Sequence, residues 1–163
     1  MPAWSDVEAA IPELASAVKA SFDAHKHKVL ATLRSDGSPR LSGNEAVFRD
    51  GDLWLGMMHH SRKALDLRRD SRMELHSAPV DLELKLGDAK LAGRAVEETD
   101  PEALRCFAAV SAGEHDGVEP PSPFHLFRVD VHEVTLIRVG DPPDHLVIEC
   151  WSHRAGYRRI ERR

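Results

Sequence analysis

Near the start of the chain apolar residues recur at intervals of three and four, with Ile11, Leu14, Ala15, Val18 and Phe22 forming one stripe. The spacing predicts an amphipathic helix opened by Ser5 and Glu8 in capping-box spacing. Pro12 either kinks this helix or marks the true start of one running to about Asp23. From Lys28 the period becomes two: Val29, Ala31 and Leu33 alternate with Leu30, Thr32 and Arg34, which reads as a strand. Ser35-Asp36-Gly37-Ser38-Pro39 has the chemistry of a hairpin turn, because Gly37 accepts positive φ and Asp36 can bond its own backbone. A second strand is expected from Arg40 to Phe48. After a turn at Arg49-Asp50-Gly51, a third follows from Leu53 to Met58, with Leu53, Leu55 and Met57 on one side. Three strands in series joined by tight turns predict an antiparallel meander.

A short helix from Ser61 to about Arg69 comes next, then a strand from Arg72 to Ser77 that Pro79 breaks. Between Asp81 and Glu97 strand pattern lies on both sides of Gly87-Asp88, most clearly at Ala89, Leu91, Gly93 and Ala95. Asp100 and Pro101 begin a helix as N-cap and first residue, with Leu104, Phe107 and Ala108 as its expected buried stripe. Gly113 to Pro123 reads as loop. Phe127, Val129 and Val131 alternate with Arg128, Asp130 and His132, and a last strand is expected from Leu146 to Trp151. Many short strands with few helices predict a mainly β (α+β) chain folded as an antiparallel, Greek-key-like barrel with flanking helices, since closure removes exposed edges. No repeat or linker divides the sequence, so residues 1–163 are expected to form one domain.

Composition narrows the function. The 163 residues include 22 basic and 27 acidic side chains, a formal charge of −5, which argues against general polyanion binding. No run approaches the roughly 20 apolar residues that cross a bilayer. Asp6 and Glu8 precede any basic residue, unlike a secretory signal, so the expected address is the cytoplasm and no membrane partner is expected. Cys106 and Cys150 lack metal-ligand spacing and are expected to be buried thiols. The tail from Arg154 to Arg163 carries five arginines against Glu161 and is expected to be a solvated run. Tyr157 alone is a weak stacking platform, so no nucleic acid is expected.

Two segments carry candidate chemistry. Arg40, Ser42 and Asn44 share one face of the second strand, a polar ladder that is either a solvated face or one wall of a site. Ser61 is a natural N-cap, yet Arg62 and Lys63 follow in the first turn, where the helix dipole disfavours positive charge. A bound phosphate would reverse that penalty by accepting from the free N–H groups, the Ser61 hydroxyl, the Arg62 fork and the Lys63 ammonium. The competing reading is two solvated side chains. Gly56 leaves room for a planar group beside Met57 and Met58, which are adaptable apolar walls. Such a combination fits a ligand with one anionic end and a polyhydroxylated chain. Ten histidines invite a metal, especially His25 with His27 and His59 with His60. No third ligand has recognisable spacing and His59 and His60 would point apart in an extended chain, so no metal site is assigned.

The segment from Lys28 to Leu33, the Asp36-Gly37-Ser38-Pro39-Arg40 turn, the Asp50-Gly51-Asp52-Leu53-Trp54 turn, and Ser61-Arg62-Lys63-Ala64 with Asp70-Ser71-Arg72 together resemble the pyridoxamine 5′-phosphate oxidase-like superfamily of split-barrel flavin and deazaflavin oxidoreductases. A looser echo extends over Asp88 to Asp100. The resemblance implies a homodimer with FMN at the subunit interface, its phosphate near Ser61-Arg62-Lys63 and its ribityl chain along the second strand. It implies hydride transfer to or from a small conjugated substrate near Met57 and Met58, without a catalytic acid or base from the protein. The deazaflavin F-420 is the close competitor, and haem-handling relatives supply an alternative of a different class. Trp151 with Arg154 or Arg162 matches the C-terminal contacts of the true oxidases only loosely, so oxidation of vitamin B6 itself is not implied.

Overall fold

A computed structural model describes residues 2–78, 83–114 and 117–163. Two helices open the chain, α1 (Trp4–Ala10) and α2 (Pro12–Asp23). Pro12 is the first residue of α2, where a missing N–H costs nothing, so the chain breaks at Ile11 rather than kinking. Ser5 is not the cap. The N-cap is Ala3, two residues earlier, and the Asp6 carboxylate accepts from the Ala3 N–H at 2.8 Å. Trp4, Val7, Leu14, Val18 and Phe22 are all buried, so both helices lay their apolar stripes on the sheet.

The hairpin of β1 (His27–Leu33) and β2 (Pro39–Glu45) closes around the predicted turn, in which Asp36 Oδ1 accepts from the Ser38 N–H at 2.9 Å. A second hairpin joins β3 (Val47–Arg49) to β4 (Asp52–Met58) through Asp50 and Gly51. Both loop residues are left-handed, at φ 52° and 78°, as a two-residue connection with the native strand twist requires. Helix α3 (Arg62–Arg69) leads to β5 (Arg72–His76) and β6 (Asp88–Glu98). Helix α4 (Pro101–Glu114) leads to β7 (Phe124–Val139), β8 (Leu146–Ser152) and β9 (Gly156–Arg162).

The expected meander does not form. The strand predicted from Arg40 to Phe48 divides at Ala46, and the order across the sheet is β2-β1-β5-β6-β7-β4-β3, with β8 and β9 continuing outward from β7. All pairings among the described residues are antiparallel. Strands β2 and β3 therefore stand at opposite ends of the path and are joined through Ala46 with no ladder between them. The covalent chain bridges the barrel where hydrogen bonding does not, which makes this a split β-barrel. Leu30, Leu53, Leu55, Leu75, Leu91, Phe127, Val129 and Leu136 fill its interior. The β6–β7 register shifts at Ala92/Gly93, where a Cβ on Gly93 would stand 2.2 Å from the Asp130 carbonyl oxygen. Only glycine permits that approach.

Other expectations need correction. Pro79 and Asp81 lie outside the described residues, and no strand forms over 83–87, so the pattern expected on both sides of Gly87 is realised only after it, as β6. Asp100 does cap α4, its Oδ2 accepting from the Ala103 N–H at 3.0 Å, but the Leu104, Phe107 and Ala108 stripe is only half-buried. Cys106 is exposed and Cys150 half-buried, both as free thiols, so neither is the buried thiol expected. The arginine-rich tail is solvated as expected, its five arginines all exposed, but most of it forms a strand that the pattern did not predict: β9, paired with β8. No helix among the described residues is long and apolar enough to cross a membrane.

Candidate functional site

Strand β2 turns its polar ladder inward. Arg40 and Ser42 are half-buried and Asn44 is buried, whereas Leu41 on the opposite face is 70% exposed. The cause lies in α3, whose buried face carries Asp66 between Ala64 and Leu67. Asp66 Oδ2 accepts from Arg40 Nε at 2.6 Å and from Thr32 Oγ1 at 2.9 Å, and its Oδ1 faces the Arg69 guanidinium at 3.3 Å. Burial by itself would raise the Asp66 pKa. The bonds from Arg40 and Thr32, the Arg40 charge and the Arg69 bond outweigh it and hold the carboxyl below its ordinary range. Arg40 is thus engaged in fastening β2 to α3.

Beside this corner lies a cleft of about 430 Å³. Of the eight residues singled out in the sequence, Asn44, Met57, Met58, Ser61 and Lys63 line it, and Arg40, Ser42 and Arg62 lie outside its lining. Ser61 occupies the N-cap position of α3, but its hydroxyl makes no capping bond. Among the described residues its buried Oγ has no hydrogen-bond partner, and neither has that of Ser42. Lys63 Nζ donates to the Gly43 carbonyl at 2.5 Å, and burial pushes its pKa below the usual lysine value. Arg62 is exposed, and the first turn of α3 contains no acidic residue. The Asn44 amide donates to the Glu45 carbonyl at 2.6 Å.

The far wall comes from residues that the sequence did not mark. Phe107 of α4 and Phe124 of β7 face the cleft, with Ser111 and Val118 beside them. Phe107 has the spacing of a core stripe, and only the half-buried state of that stripe distinguishes a cleft wall from a core. The space beside Gly56 is taken by this ring: a Cβ on Gly56 would meet Phe107 Cε1 at 3.6 Å. Gly56 thus faces a planar group from α4, at a distance that a Cβ would also allow.

The family model for pyridoxamine 5′-phosphate oxidase matches residues 14–138, from α2 to the end of β7. The chain belongs to the pyridoxamine 5′-phosphate oxidase family. No curated protein is matched by the sequence. Among solved structures, the chain is similar to PhzG from Burkholderia lata in complex with tetrahydrophenazine-1-carboxylic acid, at 17% identity and a TM-score of 0.60, over 92% of this chain and 88% of that one. It is similar to the heme storage protein HutZ from Vibrio cholerae at 21% identity and 0.60, over 78% and 94% of the two chains. It is similar to an F420 reductase at 17% identity and 0.53, over 66% and 87%. At such identities these likenesses establish the split-barrel fold and leave the chemistry to this family member's own residues.

One sequence expectation fails close to the cleft. His59 and His60 do not point apart: His60 takes φ 57°, and the two rings lie 3.7 Å apart between centroids. Limited burial, with His60, His125 and Arg68 nearby, lowers the His59 pKa below its ordinary value.

Proposed function

We propose that this family member binds FMN in the cleft and acts as an oxidoreductase on a small conjugated or heterocyclic substrate, as a homodimer in which a second chain completes the site. The observation that carries this reading is the buried, unpartnered Ser61 hydroxyl at the N-terminus of α3, with Lys63 and Arg62 in the same turn. Leaving such a hydroxyl unsatisfied costs about 1–3 kcal/mol, and a phosphate at the helix start would remove that cost while offsetting the misplaced positive charges. Lys63 gains most: an anion would offset the burial that disfavours its charged form. Asn44 and the inner face of β2 suit a hydroxylated chain, and Met57, Met58, Phe107 and Phe124 form an apolar wall for a flat ring. When bound, the flavin supplies hydride donation and acceptance; F-420 would supply two-electron hydride chemistry at the same wall. The protein's own part is to hold the anionic end, orient the ring and keep water from one of its faces.

The dimer is supported by exposed apolar side chains around the cleft. Met58 is 71% and Val118 68% exposed on its lining, and Leu41 stands out from the neighbouring edge strand. A haem-handling role is the second reading, favoured by His27 in the cleft lining. It predicts a Soret band on haemin titration that His27→Ala abolishes.

Flavin fluorescence titration tests the main reading. FMN should bind more tightly than riboflavin, which lacks the phosphate. Changing Arg62 and Lys63 together to alanine should weaken FMN by about 30- to 150-fold, the effect of roughly 2–3 kcal/mol of charge-assisted bonding, and remove the preference over riboflavin. Equal affinities of wild type and the double variant for FMN would overturn the phosphate assignment.

A further inference from the structure

At the end of the barrel, beside the start of α3, three histidines from two segments converge. His59 and His60 form the turn after β4, and His125 stands on β7, where it pairs with Met57. One ring nitrogen of each lies within 4.8 Å of one from each of the others. His125 is buried, its ring stacked on His59 at 5.3 Å between centroids and 19° between planes. Its Nδ1 lies 2.7 Å from Glu97 Oε1, so in the neutral ring the carboxylate holds the proton on Nδ1 and directs the Nε2 lone pair to the other side. Among the described residues it receives a single long bond, from the His60 backbone N–H at 3.3 Å. Glu97 is itself held by Arg68, with Nε 3.0 Å from Oε2. A carboxylate that orients one imidazole so that its other nitrogen faces two more is the outer-shell arrangement of metal-binding histidines.

We propose that His59, His60 and His125 form a binding site for a divalent transition metal of the zinc class, with at least one coordination position open to solvent. Neutral imidazoles suit zinc, cobalt, nickel and copper, whereas magnesium and calcium require oxygen donors. Nitrogens bound to one tetrahedral zinc stand roughly 3.3 Å apart, so separations of up to 4.8 Å contract by at most about 1.5 Å on binding. His59 and His60 can supply that movement because both are exposed on a turn, while His125 is the fixed member. The left-handed backbone at His60 brings two adjacent side chains to the same side, which an extended chain does not do. The site adjoins the cleft without sharing its lining: Met58, Ser61 and Phe124, the neighbours of the three histidines in the chain, line the cleft and the histidines do not.

The test uses the full tag-free chain, stripped with a chelator and titrated with Co²⁺ and then Zn²⁺. One equivalent of Co²⁺ should give the visible d–d bands of a low-coordinate site, and one equivalent of Zn²⁺ should abolish them. His59→Ala and His60→Asn, the latter chosen because asparagine tolerates the left-handed backbone, should each weaken the metal at least tenfold with the fold retained by circular dichroism. Glu97→Gln should weaken it by about 10- to 100-fold through the orientation of His125. Saturation without d–d bands, or cobalt affinity unchanged in both His59→Ala and His60→Asn, would overturn the proposal. Weak binding shared equally by these variants and wild type identifies scattered surface histidines and overturns it as well.

Discussion

At Asp66 three donors converge on one buried carboxylate, and the corner that carries Ser61 and Lys63 is fastened through it to β1 and β2. Asp66→Asn keeps the shape but removes the charge that compensates Arg40. Breaking a fully buried pair costs about 3–5 kcal/mol; with Arg40 partly reached by water, about 2–3 kcal/mol is expected at neutral pH. The depressed pKa gives the difference a pH dependence. Stabilisation by Asp66 is complete above the ordinary carboxylate range and is lost as pH falls through the lowered folded value, so the gap between wild type and variant should narrow in acid. Asp70, held at about 2 by the Arg72 guanidinium and the Arg72 backbone N–H, leaves a residual slope between about pH 4 and 2 in both proteins. Urea unfolding at pH 7 and pH 3 measures this, and a constant gap would show that Asp66 does not stabilise through its charge.

The outer edge of the sheet shows what a strand needs when it has almost no core to face. Strand β9 alternates Tyr157, Arg159 and Glu161 with Arg158, Ile160 and Arg162; only Ile160 is half-buried, and the remainder are exposed. Tyr157 donates to Glu149 at 2.9 Å, and Arg159 pairs with Glu161. Charged side chains on an unpaired edge block another strand from adding to it. Replacing Arg158 and Arg162 with valine should leave the fold intact and produce concentration-dependent association visible in light scattering. A variant as monodisperse as wild type would remove the guarding role. The same logic explains what was legible in the sequence. Periodicity and turn chemistry located β1, β2, β4, α3 and the Asp100 cap, because those signals are local. It missed β9, where hydrophobic alternation is absent, and joined β2 to β3, because partner choice is long-range and a one-residue break at Ala46 leaves no mark in the pattern. In the cleft, misplaced charge at Arg62 and Lys63 was visible locally, whereas Phe107 and Phe124 reach it from distant elements.

For the whole molecule, FMN binding and association of two chains should be linked if a second copy completes the cleft. A ligand that binds only the native state stabilises it by about 2.7 kcal/mol when present at about 100 times its Kd. For a chain of this size that corresponds to a rise in Tm of about 5–10 °C. If the exposed Leu41, Met58 and Val118 mark the face that meets the partner, FMN should also tighten the dimer, because binding and assembly then share one free-energy coupling and each must strengthen the other. Leu41→Asp puts a charge on that face without touching the cleft lining. It should shift sedimentation from dimer towards monomer and weaken FMN together, while FMN added in excess recovers part of the dimer. A monomeric variant that binds FMN as tightly as wild type would show that one chain holds the whole cofactor site. A wild-type monomer with a full rise in Tm would separate cofactor binding from assembly altogether.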